Sequence, residues 1–228
     1  MNITLNVVPP RPKPFIVFCI PGKDFSGQFL DSYTELLSYC MRNEIQFTVS
    51  RRYSPVIYYA RNLCLGGDNL RGENQKPFNG QLNYTHIMWI DSDVIFNIKH
   101  FEDLLKHDFD IISGLYMMQG GKYFATVKDW DEEFFKKHGT FQFLNEQSIR
   151  GDGKLIEVDY TGFGFILIKR HVHEAITYPW FRPIWHEIGS CWDFSSEDAS
   201  FCKLVKEKGF KIYVDPKIRV GHLKDVIL

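Results

Sequence analysis

The sequence lacks three features that would place a protein in a membrane or on nucleic acid. No apolar run approaches the roughly 20 residues that a membrane-spanning helix needs. The first residues, Met1 to Pro14, lack the charged and then apolar layout of a signal peptide. The net charge is only −1 and the basic residues are scattered, so no basic patch indicates nucleic-acid binding. These absences predict a cytoplasmic protein without a transmembrane segment or a nucleic-acid partner.

The sequence also lacks paired cysteines. Its five cysteines are odd in number, and none forms a Cys-x-x-Cys pair. This pattern favours buried thiols in a reducing compartment over a disulfide framework or a zinc site. The cysteines are Cys19, Cys40, Cys64, Cys191 and Cys202.

The composition is that of an ordinary globular domain, with 44% hydrophobic and 24% charged residues. A length of 228 residues fits one domain with appended loops, so we predict a single domain over residues 1–228. Apolar strand-length runs alternate with helical patterns, which predicts an α/β fold with a mostly parallel sheet. Residues 1–14 are expected to form an extended lead-in, and residues 68–83 and 178–194 to form loop insertions.

The most informative stretch runs from His86 to Val94, where an apolar strand ends in Asp91 and Asp93. Open α/β sheets bind their ligands at the carboxyl ends of their strands. Two carboxylates at such an edge suit a divalent cation that prefers oxygen, Mg²⁺ or Mn²⁺. The alternative is a surface turn, because Asp-Ser-Asp is ordinary turn chemistry.

Local rules also predict where two helices begin. Ser54 and Pro55 are expected to begin a helix that ends at Gly66 and Gly67. Ser195 is expected to cap a second helix through a capping box with Asp198. Acidic residues in a first helical turn stabilise the helix dipole, so Glu197 and Asp198 also have a purely structural interpretation.

Several motifs, in order along the chain from Phe15 to Lys224, resemble the GT-A type glycosyltransferases. The similarity is to small, soluble, single-module transferases of bacteria and large DNA viruses. It implies a GT-A fold, with a Rossmann-like, mostly parallel central sheet flanked by helices and a smaller acceptor-side sheet. The motifs are Pro21-Gly22, Ala60-Arg61-Asn62, Asp91-Ser92-Asp93, Ser113-Gly114-Leu115-Tyr116, Thr161-Gly162-Phe163-Gly164-Phe165, Ser196-Glu197-Asp198 and Gly221-His222.

The resemblance implies a site for a nucleotide sugar, expected to be UDP-linked, with Mn²⁺ or Mg²⁺ as cofactor. Asp93 would ligate the metal directly, and Asp91 would contact the ribose or the metal and its bound water. His222 would complete the metal site through a neutral imidazole nitrogen. Without the resemblance, the favoured interpretation of His222 would be a lone exposed histidine without a role in binding. Further donor contacts implied are Pro21, Gly22 and Asp24 at the base, Arg61 at phosphate or base, Ser92 at the ribose, and Gly114, Gly162 and Gly164 beneath the sugar.

The resemblance also implies an acceptor side. Asp198 would be the base that takes the proton of the acceptor hydroxyl, with Glu197 beside it. If the enzyme retains configuration, Asp198 would instead hold donor or acceptor hydroxyls. Trp180, Trp185 and Trp192, in one polar loop, are predicted to form a platform for a glycan acceptor.

The function that the resemblance implies is metal-dependent transfer of a hexose from a nucleotide sugar to an acceptor hydroxyl. One alternative is a sugar-phosphate nucleotidyltransferase, but Pro21-Gly22-Lys23-Asp24 lacks the Gly-rich, basic loop of those enzymes. Another is a non-catalytic module that binds nucleotide or carbohydrate, which would bind the donor without turnover.

Overall fold

The computed structural model describes residues 13–149 and 153–224. The predicted lead-in therefore lies almost entirely outside the described residues. Numbered along the chain, the strands and helices are β1 (Phe15–Pro21), α1 (Gly27–Arg42), β2 (Gln46–Arg52), α2 (Ile57–Cys64), β3 (His86–Ile90), β4 (Val94–Ile95), α3 (Ile98–Lys106), β5 (Ile111–Leu115), β6 (Thr126–Val127), α4 (Glu132–His138), β7 (Ile156–Val158), β8 (Tyr160–Thr161), β9 (Phe165–Lys169), α5 (Arg170–Glu174), β10 (Ile184–Ile188), β11 (Cys191–Ser195), α6 (Glu197–Glu207), β12 (Ile212–Arg219) and β13 (Gly221–His222).

A seven-stranded sheet with the order β2-β1-β3-β9-β5-β12-β7 forms the centre of the fold. β2, β1, β3, β5 and β12 run in one direction, whereas β9 and β7 run in the opposite direction. The carboxyl ends of the parallel strands therefore meet at one edge, where the sequence predicts the site. The predicted α/β class with a mostly parallel sheet is confirmed.

The central strands are buried because both faces of the sheet are covered. One core contains large side chains such as Trp89, Phe163 and Phe201. The core on the opposite face contains Phe18 and Phe101, to which α1 and α3 contribute. Strands covered on both faces become continuous apolar runs, which is why β1 and β3 are recognisable in the sequence.

Helix boundaries follow local capping where side chains can reach the backbone. The Ser26 hydroxyl accepts a hydrogen bond from the Phe29 amide (3.0 Å), and this bond caps α1. Asn97 and His100 form a capping box at the start of α3. These caps satisfy amides that would otherwise lack partners in the first helical turn.

Two predictions of local structure were wrong. α2 begins at Ile57 rather than at Ser54, because the Ser54 hydroxyl accepts from the Val56 amide (3.2 Å) and closes a turn. Residues 178–194 are not simply a loop, since β10 and β11 pair there as an antiparallel hairpin. The loop over residues 68–83 contains two short 3₁₀ helices, Asn69–Arg71 and Pro77–Gly80.

All five cysteines are free thiols, and four of them are buried as the sequence predicts, whereas Cys191 is partly exposed. In residues 13–149 and 153–224, no helix is both long and apolar enough to span a membrane.

His173 is a fully buried titratable group in the core. Its Nε2 accepts a hydrogen bond from the Trp89 indole (3.4 Å), and Phe181 and Phe201 pack beside it. Burial lowers the pKa of His173 to about 3 and, mainly through the same cause, that of His86 to about 4. Both histidines therefore stay neutral in the folded state at pH values where the unfolded chain binds protons.

We expect the stability of the protein to fall as the pH drops below about 6.5, the ordinary pKa of histidine. The contribution of His173 is complete above that pH and is lost progressively toward pH 3. His173→Phe should reduce the loss between pH 7 and pH 5 by about 1–2 kcal/mol. Urea unfolding at the two pH values measures this, with the exposed His138→Ala as control. An unchanged pH dependence in His173→Phe would contradict the prediction.

Candidate active site

The candidate site lies where β1 and β3 end. Asp91 follows β3 directly, and its amide donates to the Gly164 carbonyl (3.0 Å). Gly22 follows β1, and a Cβ at this position would lie 2.7 Å from the Ser92 side chain. Residue 22 must therefore lack a side chain for the ends of the two strands to approach each other. Of the other residues predicted near the base, Pro21 is buried and Asp24 is exposed.

Arg61 connects two carboxylates at the floor of the site. Its side chain is only 3% exposed, and its Nε donates to Glu197 Oε1 (3.1 Å). Its Nη2 donates to Asp91 Oδ2 (3.2 Å). The rings of Trp89 and Phe163 lie 5.5 and 5.3 Å from its guanidinium carbon. Arg61 is thus anchored by protein groups, and only its buried Nη1 has no hydrogen-bond partner within the described residues.

Charge compensation explains how these groups tolerate burial. Burial would lower the pKa of Arg61, but Asp91, Glu197 and Asp198 together raise it above its ordinary value. Burial raises the pKa of Glu197, with Asp198 adding to the effect and Arg61 opposing it. Arg61 is therefore a permanent cation between carboxylates that would otherwise repel each other.

Asp93 belongs to a second cluster, formed with the end of the described chain. β13 pairs with β4, and the Leu223 amide donates to the Asp93 carbonyl (2.8 Å). This pairing places His222 Nε2 3.1 Å and Lys224 Nζ 2.6 Å from Asp93 Oδ2. The other ring nitrogen of His222, Nδ1, lies 2.7 Å from the Met117 carbonyl, which orients the imidazole.

The electrostatics of this second cluster favour a charged Asp93. Burial would raise the pKa of Asp93, but hydrogen bonds from His222 and Lys224 outweigh that effect and lower the pKa to about 2. For His222, burial would lower the pKa, but Asp93 and the Met117 carbonyl raise it. Asp93 is therefore ionised, with its charge balanced by Lys224 and His222.

The predicted metal ligands are only partly brought together. Asp93 and His222 are in contact, whereas the Asp91 carboxylate is paired with Arg61. Across the described parts of the chain, no three His, Cys, Asp or Glu side chains form a group that could hold a metal ion. The three-ligand metal site remains a prediction.

Asp198 is held by neighbouring donors at the start of α6. Its Oδ2 accepts from the Tyr160 hydroxyl (2.9 Å), and its Oδ1 accepts from the Ala199 amide (2.8 Å) and the Ser196 hydroxyl. The predicted capping box with Ser195 does not form, because Ser196 is the N-cap residue and makes no side-chain cap. The half-buried Asp198 carboxylate is therefore oriented without being sealed from solvent.

The glycines predicted to lie beneath a sugar instead contact protein side chains. A Cβ at Gly162 would lie 1.9 Å from the Tyr116 hydroxyl oxygen, and one at Gly164 would lie 2.8 Å from the same ring. A Cβ at Gly114 would lie 2.7 Å from Ile218. The absence of side chains at these positions is explained by packing, most clearly by the space that Tyr116 occupies.

Gly162→Ala should destabilise the fold by about 1–3 kcal/mol, because the added methyl group overlaps Tyr116. Tyr116→Phe removes the hydroxyl that lies closest, so the double variant should recover part of the loss. Urea unfolding of the two single variants and the double variant measures the coupling. Additive effects would show that the clash with Tyr116 does not determine the cost.

The three predicted platform tryptophans have different environments. Trp180 is fully buried and packs in the core, so its assignment to an acceptor platform was wrong. Trp185 and Trp192 are 48% and 61% exposed on the β10–β11 hairpin. Phe194 is 62% exposed beside them, with its ring centroid 4.6 Å from that of Trp185. The hairpin therefore presents an exposed aromatic surface.

Three residues of the site were not found from the sequence. Tyr160 and Tyr116 lie on β8 and just after β5, and their contacts with Asp198 and the glycines depend on tertiary packing. Lys224 follows β13 and reaches Asp93. Tyr160 directly precedes the Thr161–Phe165 motif, and that position is the one local signal that could have identified it.

Comparison with known proteins identifies the fold. No protein-family model matches the chain, and no curated protein is significantly similar to it in sequence. A197 from STIV aligns with 93% of this chain and 86% of its own, with a TM-score of 0.55 and 19% identity. GalNAc-T7 with UDP, GalNAc and Mn²⁺ aligns over 93% of this chain and 43% of its own (TM-score 0.56, 12% identity). The catalytic domain of Drosophila β1,4-galactosyltransferase 7 with xylobiose aligns over 93% of this chain and 71% of its own (TM-score 0.50, 10% identity). The chain has a GT-A-like fold, as its motifs predict.

Proposed function

We propose that this protein is a glycosyltransferase that transfers a hexose from a nucleotide sugar, UDP-linked, to a hydroxyl of a glycan. The observation that carries the proposal is the grouping of Asp91, Asp93 and Asp198 with their partners on a GT-A-like fold. Two of the fold neighbours are glycosyltransferases, and the GalNAc-T7 structure contains UDP, GalNAc and Mn²⁺. These likenesses support the same donor class and cofactor here.

The residues present fit a divalent cation. Lys224 Nζ and His222 Nε2 both lie against Asp93 Oδ2, so a divalent cation would take the place that the Lys224 ammonium occupies. Asp93 and His222 supply the oxygen and imidazole ligands that suit Mn²⁺, and Asp91 offers further carboxylate oxygens; Mg²⁺ is the alternative. When bound, such a cation would stabilise the negative charge of the leaving diphosphate.

The protein groups have separate roles in this proposal. Asp198 accepts the proton of the attacking hydroxyl, while Tyr160 and Ser196 hold its carboxylate in one orientation. Arg61 fixes Glu197 and Asp91 at the floor of the site through its Nε and Nη2 donors. Trp185 and Trp192 would contact the acceptor glycan through their exposed rings.

Calorimetric titration with UDP, GDP and other nucleotides, each with and without Mn²⁺, tests the donor class. The proposal expects one nucleotide, UDP, to bind with an affinity that depends on the metal. Transfer from UDP-hexoses to glycan acceptors then tests catalysis. A folded protein that binds no nucleotide would contradict the proposal, and donor binding without transfer would indicate the non-catalytic alternative.

Asp93→Ala should weaken Mn²⁺-dependent UDP binding by at least about 100-fold, because a predicted metal ligand is lost. The fold should remain intact, since Asp93 is partly exposed at the rim of the sheet. The same calorimetric titration measures the loss, and circular dichroism checks the fold. Asp103→Ala is the control, because it removes an aspartate that pairs with Lys99 on α3. Unchanged UDP and Mn²⁺ binding by Asp93→Ala would show that the metal site is assigned incorrectly.

A further inference from the structure

A cavity of about 400 Å³ lies behind the β10–β11 hairpin, between that hairpin, α6 and residues 127–143. Its size falls within the range of about 300–1,000 Å³ that is usual for small-molecule sites. None of the residues predicted from the sequence to contact ligand lines this cavity. The cavity therefore adjoins the candidate site, through Tyr160 and Ser196, without containing any of those residues.

Much of the cavity lining is aromatic. Trp130 and Phe141 pack edge to face with ring centroids 4.5 Å apart, and Phe135 lies 4.7 Å from Phe141. Phe143 and Tyr160 belong to the same lining. Rings in this arrangement offer apolar surface to a flat partner.

The lining also includes polar groups. His186 Nε2 lies 2.9 Å from the Ser195 hydroxyl, and its Nδ1 lies 3.4 Å from Lys203 Nζ. Asp193 lines the same cavity, beside the apolar Phe194 of the hairpin. The hairpin and α6 thus bring hydrogen-bond donors and acceptors into a cavity that aromatic rings also line.

We propose that this cavity binds one pyranose ring of the acceptor glycan, an inference that rests on the proposed function. A pyranose has an apolar C–H face that packs on aromatic rings and a rim of hydroxyls that hydrogen-bond to polar groups. Tyr160 connects the cavity to the proposed base, since its ring lines the cavity and its hydroxyl donates to Asp198 (2.9 Å). A pyranose ring bound in this cavity would therefore contact Tyr160, whose hydroxyl contacts the Asp198 carboxylate.

A purely apolar group fits this cavity less well. An alkyl chain or an unsubstituted aromatic ring would cover the charged groups of Asp193 and Lys203, which are exposed to water, without offering them hydrogen bonds. Removing polar groups from water without partners costs free energy. The combination of aromatic and polar groups in one lining therefore favours a carbohydrate.

Saturation-transfer NMR on the full chain, without nucleotide or metal, tests the inference. The probes are the methyl α- and β-D-pyranosides of glucose, galactose and mannose, with benzyl alcohol and hexanol as apolar comparisons. We expect at least one pyranoside to bind saturably, and Phe141→Ala to weaken it by about threefold to tenfold. Lys203 is exposed, so the fold should tolerate Lys203→Ala. This variant should also weaken pyranoside binding but leave any binding of benzyl alcohol unaffected. Tyr123→Ala removes an exposed aromatic side chain outside the cavity and is the control.

Binding of the apolar probes alone would overturn the inference, as would an absence of pyranoside binding. Pyranoside binding that neither Phe141→Ala nor Lys203→Ala weakens would place the sugar elsewhere and overturn it too. Titration of the same preparation with UDP and Mn²⁺ separates the two proposals. If UDP binds but no pyranoside does, only the cavity assignment fails. If a pyranoside binds with the expected variant effects but no nucleotide does, the cavity binds sugar and the proposed function fails.

Discussion

Asp198→Asn is expected to reduce glycosyl transfer by about 10²–10⁴-fold, the usual contribution of a positioned general base. The amide retains an oxygen that can accept from Tyr160, so the local structure should persist. It cannot take the proton of the acceptor hydroxyl. The kcat with the UDP-hexose identified by titration measures the effect, while UDP binding should be unchanged.

Asp129→Asn is the control for this variant, because Asp129 is an exposed aspartate outside the proposed site. Its transfer rate should equal that of the wild type. A retaining enzyme would give a different result for Asp198→Asn, with the KM for the acceptor or donor rising more than kcat falls. Full activity in Asp198→Asn would show that another group takes the proton.

Arg61→Ala is expected to destabilise the fold by about 3–5 kcal/mol, since it leaves buried carboxylates without their cation. Glu197 loses its Nε partner and Asp91 loses its Nη2 partner. The change also leaves a cavity beside Trp89 and Phe163. Urea unfolding followed by tryptophan fluorescence measures the loss.

Two further variants distinguish charge from packing at this position. Arg61→Met combined with Glu197→Gln fills part of the space and removes one unpaired charge, so it should recover part of the stability. Arg170→Ala breaks a partly exposed ion pair with Glu174 and should cost no more than about 1 kcal/mol. If Arg61→Ala costs as little as Arg170→Ala, the buried network does not stabilise the fold as described.

The sequence carried enough information for the sheet class and for the edge at which the candidate site lies. The apolar runs of β1 and β3 identify buried strands, and Asp91 marks where β3 ends. Burial on both faces of a parallel sheet produces this signal directly.

The partners of the site residues could not be read from the sequence. Arg61 and Glu197 are 136 positions apart, and no local pattern pairs them. The glycines at 162 and 164 were interpreted as space for a sugar, although Tyr116 fills that space. The error at Trp180 has the same origin, since burial depends on what packs against a residue rather than on the polarity of its neighbours in sequence.

The position of β9 has a consequence for how the chain acquires its structure. β9 lies between β3 and β5, although it follows both of them in the sequence. During synthesis, β3 and β5 therefore emerge with open edges that remain unpaired until residues 165–169 are available. Closing the sheet requires a late, non-local insertion, which predicts slow folding and a period when the nascent chain is prone to aggregate. A chaperone that shields apolar strand edges should raise the yield of active protein more by acting before β9 is made than after.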